Sequence, residues 1–280
     1  MQKLAKLDSF TMLFNHATFI GVDPSLSRAL QDPGGLSRGH LRRAFVYAAL
    51  NQEQELIAIS EGKLEDLLAF AAGQEAALVA VNAPRRPNQG LMRQEEVRQT
   101  LVPPPRPGRW LDHRLAEYQM RQHQIGVTPT PSQVEDCPAW MQICFSLYHH
   151  LEGLGFQAYP CEGAQRQYLE VHPHACFCAL LGQAPFPKDN LEGRLQRQLV
   201  LFDQGLKISD PMEFFEEITP RRLLKGTLPL KDIYSSNELD ALAAAHTAWM
   251  AANHPEQITL LGAVEEGQVV IPVGELKSHY

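Results

Sequence analysis

Apolar positions along this chain fall into two regimes: short β-branched runs, and longer stretches in which they recur at helical spacing. Ala17-Thr-Phe-Ile-Gly-Val-Asp23-Pro24-Ser25 is the first run, and it predicts a buried strand with an acid at its C-terminal tip. After the turn-forming Asp32-Pro-Gly-Gly35, Arg43 to Leu50 and Glu55 to Ser60 predict two strands joined as a hairpin by Asn51-Gln-Glu-Gln54. Leu64, Leu67, Leu68 and Ala71 then mark one face of a helix over Lys63 to Ala72, with Gly73 placed to cap it. Ala76 to Val81 is another buried strand, running into Asn82-Ala-Pro84. A helix between two strands favours a parallel crossover, and so an α/β sheet.

From Arg85 to Ser132 the pattern breaks into a segment rich in Pro, Arg and Gln. It reads as an insertion of about 85–132 over the sheet edge. A helix is expected within Leu111 to Gln124, exposing Arg114, Glu117 and Arg121. Beyond it, Trp140 to Gly153 predicts a helix, and Gln157 to Pro160 and Gln167 to Pro173 predict strands, the second carrying Glu170 near its end. Leu191 to Leu201 reads as helix, and the pattern weakens between Gly205 and Asp232. Glu238 to Ala252 is the strongest helical segment, Ala-rich and opened by Asp240, and Gln268 to Ile271 is the last strand. No repeat or clean linker divides the chain, so one α/β domain is expected over 1–280, its core about 17–273.

Composition narrows the function classes. With 44% hydrophobic and 20% charged residues, the chain has the balance of a globular protein. No apolar run approaches the length of a membrane span, and no apolar segment of signal-peptide type follows Met1 to Leu7. Five cysteines in a chain of this length do not suggest a disulfide framework, and a cytoplasmic setting is expected. A formal net charge of −7 argues against a protein that mainly coats duplex nucleic acid, which needs Lys and Arg to neutralise phosphates. A nuclease with one basic face and a carboxylate cluster remains compatible with it.

Three acids share a placement. Asp23 ends the first strand, Glu170 lies near the end of a later one, and Asp240 opens the Ala-rich helix. In open α/β sheets functional groups gather outside the carboxyl ends of the strands. Carboxylates converging there repel one another unless a cation stands between them, and a hard ion such as Mg²⁺ or Mn²⁺ suits oxygen donors. Two such ions, about 4 Å apart, are the usual device for phosphodiester cleavage. Each acid also has a plain alternative: a strand terminator, a solvated charge, or a first-turn acid favoured by the helix dipole.

Several motifs follow one another in a recognisable order: Phe19-Ile-Gly-Val-Asp23; Leu78-Val-Ala-Val-Asn82-Ala-Pro84; Glu170-Val-His-Pro173; Lys188 with Glu192-Gly-Arg194-Leu-Gln-Arg197; Glu238-Leu-Asp240 to Trp249; and Glu265-Glu-Gly267 leading to Val270-Ile-Pro272. In this order the chain resembles the domain-of-unknown-function family numbered 429, whose members are expected to be nucleases of RNase H-like fold. The resemblance implies a mixed sheet flanked by helices, with Asp23, Glu170 and Asp240 as metal ligands and catalytic acids. It also implies a further acid after the strand ending at Val81, where this chain has Asn82. An amide ligates through its carbonyl oxygen but brings no charge. Either a second metal is weak, or Asp112 or Glu117 substitutes, or catalysis is lost.

Arginine suits phosphate because its planar fork donates two parallel hydrogen bonds. Candidate substrate contacts are Arg85, Arg86 and Arg93 after Asn82, Arg114 and Arg121 in the insertion, Lys188, Arg194 and Arg197 after Glu170, and Ser25 and Arg28 after Asp23. His172-Pro-His174 with Cys176 and Cys178 invites a zinc reading that no second motif completes. His246 is expected as a core histidine. Phosphate-binding Gly loops of the G-x-x-x-x-G-K-[ST] or G-x-G-x-x-G type are missing from the sequence. The leading expectation is a Mg²⁺- or Mn²⁺-dependent nuclease acting on DNA or RNA. A degenerate RNase H-like domain that binds without cutting is the alternative, and an actin-like ATPase ranks last.

Overall fold

The computed structural model describes residue 14 and residues 16–24 and 45–280. Ser25, Arg28 and the turn at Asp32 to Gly35 lie outside the described residues. Strands β1 (Thr18–Pro24), β2 (Phe45–Leu50) and β3 (Leu56–Gly62) are followed by helix α1 (Leu64–Ala72) and strand β4 (Ala77–Val81). The insertion contains the short helices α2 (Glu95–Gln99) and α3 (Leu115–Gln122). Then come α4 (Ala139–Gly153), β5 (Gln157–Ala158), β6 (Arg166–Val171), α5 (Pro173–Leu181) and α6 (Leu191–Asp203). Two short helices, α7 (Glu213–Glu217) and α8 (Pro220–Leu224), precede the long α9 (Ser236–Asn253), and β7 (Thr259–Ala263) and β8 (Gly267–Ile271) close the order.

The strands form one mixed sheet in the order β3-β2-β1-β4-β6-β8-β7, with β5 also paired to β6. β1, β4, β6 and β8 run parallel, while β2, β3 and β7 are antiparallel to their neighbours. The parallel strands are buried on both faces, which is why β1 and β4 read as continuous apolar runs instead of alternating ones.

Side-chain alternation sorts the core into two layers. Ile20, Val22, Val79, Val81 and Tyr168 meet Leu67 and Ala71 of α1 and Cys144, Leu147 and Leu151 of α4. Phe19, Leu78, Ala80, Leu169 and Val171 point the other way, toward α9, Leu201 of α6 and Phe177 of α5. The insertion packs Ala116 and Met120 of α3 with Leu261, Val269 and Ile271 of the last two strands. Among the described residues no helix is long and apolar enough to cross a membrane.

Helix α9 is set by its own start. Ser235 accepts from the Glu238 backbone N–H, and the Glu238 carboxylate accepts from the Ser235 N–H, a reciprocal cap. Its alanines 241, 243, 244, 245, 248, 251 and 252 are fully buried, so the helix lies close to the sheet. The closest approach is at Gly21, where a Cβ would stand 1.9 Å from the Ala241 carbonyl oxygen and 2.2 Å from the Ala245 nitrogen. Both neighbours are backbone and cannot rotate away. Gly21→Ala is therefore expected to push α9 off β1 and cost about 3 kcal/mol or more, seen as a melting temperature lower by at least about 6 °C. An unchanged melting curve would contradict this packing.

Candidate functional site

The C-terminal ends of β1, β4 and β6 border a cavity of about 240 Å³ whose lining includes Asp23, Asn82, Glu170 and Lys188. Register decides which way the acids face. Val22 pairs with Val81 and Val81 with Glu170, so Glu170 shares the face of Val22 and Val81. Asp23, one residue beyond Val22, turns to the opposite face, the one that α9 covers. The structure thus joins Asp23 to Asp240 and separates both from Glu170. Among the described residues no group of three or more His, Cys, Asp and Glu side chains is assembled that could hold a metal ion.

On the α9 face, Asp23 and Asp240 are both buried. The Asn82 side-chain amide donates to Asp23 Oδ1 at 2.6 Å, and Lys188 Nζ donates to Asp240 Oδ2 at 2.6 Å. Burial, with the charge of Asp240 added, pushes the Asp23 carboxyl up to about 8, against the pull of Asn82 and Lys188. Burial also raises Asp240, opposed chiefly by Lys188 and then Arg197 and His174. Lys188 keeps 42% of its side chain exposed, so this ammonium is displaceable. His172 also lines the cavity; its Nδ1 accepts from the Ala175 N–H at the start of α5, and burial pushes it down to about 4, leaving it neutral.

On the opposite face Glu170 anchors the insertion. Arg114 Nη2 donates to Glu170 Oε2 at 2.7 Å and to the Gly267 carbonyl at 3.1 Å, and the Arg85 N–H donates to Glu170 Oε1 at 2.8 Å. Burial alone would lower the Arg114 pKa, but Glu170, Glu117 and Glu266 outweigh it and hold the guanidinium charge in place. Burial raises Glu170, and Arg114 and the Arg85 N–H draw it back. The sequence expectation of Arg114 and Glu117 exposed on the insertion helix is corrected here. Arg114 is 2% exposed and Glu117 4%. The helix begins only at Leu115, because Arg114 is its extended N-cap, drawn inward by Glu170. Arg121 does face solvent and donates to the Val127 carbonyl.

Two further buried carboxylates complete this anchor. Glu266 accepts the Gln89 and Leu91 N–H groups at 3.1 and 3.0 Å and the Leu115 N–H at 2.9 Å. Glu117 accepts the Arg114 N–H at 2.9 Å, and the Thr130 backbone and hydroxyl. Sequence reasoning quoted Glu266 within the Glu265-Glu-Gly267 motif but gave it no role. Its signal was an acid beside Gly267, whose φ of +98° favours glycine at the start of β8.

The remaining candidates scatter. Arg85 stacks beside Tyr168 and reaches the Val264 carbonyl, and Arg86 reaches that of Glu265. Arg93 pairs with Asp112 at 3.1 Å, both exposed, so Asp112 does not replace the acid missing at Asn82. Arg194 is spent on the Tyr234 and Ile233 carbonyls, fixing the approach to α9. Arg197 is buried on the Phe186 and Gly193 carbonyls. Cys176 and Cys178 are buried free thiols within α5, and His246 lies in the core beside Gln54 and Trp249.

On the α9 face the oxygen donors that could hold a hard cation are Asp23 and Asp240. Both carboxyls are raised by burial with the single ammonium of Lys188 beside them, and Asn82 can add an oxygen by flipping its amide. A carboxyl raised in the folded state binds a proton that the unfolded chain releases near pH 4. Stability therefore falls as pH rises from about 4 to about 8. Asp23→Asn should flatten that decline in melting temperature and stabilise the protein at pH 8; an unchanged slope would contradict the coupled burial. Arg114→Ala, which strands Glu170, should cost about 3–5 kcal/mol in chemical unfolding, and a loss below 1 kcal/mol would refute the anchor.

A family model described as "Protein of unknown function (DUF429)" matches residues 21–266. No curated protein and no solved structure matches the chain. The matched span runs from the Gly21 contact through Asp23, Asn82, Glu170 and Asp240 to Glu266, and the chain belongs to the DUF429 family.

Proposed function

We propose that this protein is a divalent-metal-dependent phosphodiesterase acting on nucleic acid, built on an RNase H-like version of its mixed α/β fold. The observation that carries the reading is the buried Asp23–Asp240 pair at the carboxyl end of a central parallel strand, beside a cavity that also reaches Lys188. Asp23 and Asp240 would hold Mg²⁺ or Mn²⁺, with Asn82 as a neutral oxygen donor. When bound there, the ion would polarise a phosphoryl oxygen and lower the pKa of a water. Lys188 would leave Asp240 and donate to a phosphate oxygen, as a mobile ammonium suits that role. Neutral His172 offers its Nε2–H as a further donor, because Nδ1 is taken as an acceptor. Glu170 keeps Arg114 and the insertion in place instead of binding the ion.

The acids' internal partners favour a second reading. The Lys188 ammonium already neutralises Asp240, and the Asn82 amide occupies Asp23. A domain that binds nucleic acid without cutting it would look the same.

Calorimetric titration with Mn²⁺, alongside cleavage of labelled oligonucleotides, tests both. One ion per chain is expected, lost in Asp23→Asn and Asp240→Asn, retained in Glu170→Gln, and bound several-fold more tightly by Lys188→Ala. Binding lost in Glu170→Gln but kept in Asp240→Asn would overturn the proposed ligand set. Mn²⁺ binding without cleavage of any strand would select the second reading.

A further inference from the structure

The cavity is lined by two kinds of side chain. Asp23, Asn82 and Lys188 line it with the internally paired Arg114, Glu117 and Glu170. Pro84, Met120, Val127, Trp140 and Met141 supply apolar surface. Trp140 is the second residue of α4, is half-buried and lines the cavity. Met120 and Met141 are buried and soft enough to fit a planar ring from its edge. The volume is about 240 Å³. A cavity of roughly 150 Å³ accepts one benzene ring, so this one has room for a base and part of its sugar.

The insertion's share of that lining is tied down. Val127, Thr128 and Thr130 of the insertion line the space, and Thr130 is tied to buried Glu117 through both its backbone and its hydroxyl. Asn88 donates to the Pro131 carbonyl at 3.0 Å, and Arg114 holds the base of the same segment to Glu170. A cavity of about 240 Å³ does not admit a duplex, whose major groove alone is about 12 Å wide. It admits a single base, and base–aromatic stacking tolerates any sequence.

Building on the phosphodiesterase reading, we infer that the site takes one unpaired nucleotide at a time, its base against Trp140 and the methionines and its phosphate at Lys188. The substrate class is single-stranded nucleic acid, or a strand end or extruded base, and intact duplex is excluded. Extruding a base from a duplex costs several-fold to a thousand-fold in affinity, of the order of a few kcal/mol of unstacking.

The test is fluorescence anisotropy in Mn²⁺ with a labelled ten-nucleotide phosphorothioate strand, which resists hydrolysis, and with the same strand annealed to its complement. The single strand should bind at least about tenfold more tightly than the duplex. Trp140→Ala should weaken it by about tenfold, and Trp140→Phe should restore most of the loss. A folded Trp140→Ala protein is verified by its unchanged Mn²⁺ titration. Equal affinity for strand and duplex, or a Trp140→Ala variant that binds the strand as tightly as the parent, overturns the inference even where the Asp23 and Asp240 metal titration succeeds.

Discussion

At Gly21 the backbone of β1 lies directly against the backbone of α9, and the rest of the site depends on that approach. A side chain there would hold the helix away from the sheet. With hydrogen in that place, the first turns of α9 settle over the end of β1, and Asp240 reaches the vicinity of Asp23. The alanines that follow serve the same end, since each keeps the helix–sheet distance short without opening a void. Two acids are thereby taken out of water together. The cost of that arrangement is visible in the raised carboxyls and in the recruitment of Lys188.

The parity of a β-strand then divides the acidic residues by task. Asp23 and Glu170 sit at comparable heights on strands separated only by β4, yet they point to opposite faces. On one side a carboxylate pair is buried with the Lys188 ammonium and the Asn82 amide as its partners. On the other, Glu170, Glu117 and Glu266 surround Arg114 and a set of backbone N–H groups from the insertion. Every oxygen on that side has a donor, as buried carboxylates require. Acids alike in sequence therefore differ in setting: the first pair is held by Lys188 and Asn82 at the end of β1, while the second group fastens the insertion.

Much of this was legible beforehand. The strands ending in Asp23 and Asn82 and the helix bearing Asp240 all announce themselves through apolar pattern, and the structure places them close to the expected limits. Helix α5 was hidden because its Pro173 and flanking histidines read as the tail of a strand, although Pro at the first helical turn is favourable. Strand β7 was hidden because Thr259–Ala263 is a short, half-exposed partner whose pairing with β8 is non-local. Facing was the larger omission. Glu170 and Asp23 both end strands, and only the register of β4 between them shows that they diverge. Likewise the spacing of Arg114, Glu117 and Arg121 suits a solvated helix face. Nothing nearby in sequence reveals that Glu170, 56 residues later, draws Arg114 inside.

The central claim is that a cation belongs between Asp23 and Asp240 and that Glu170 belongs to Arg114. Anomalous diffraction from crystals soaked in Mn²⁺ addresses it most directly. The account predicts one manganese peak bonded to carboxylate oxygens of Asp23 and Asp240, with Lys188 displaced and the Glu170–Arg114 pair intact. A manganese ion bonded to Glu170, with Arg114 turned away, would contradict it.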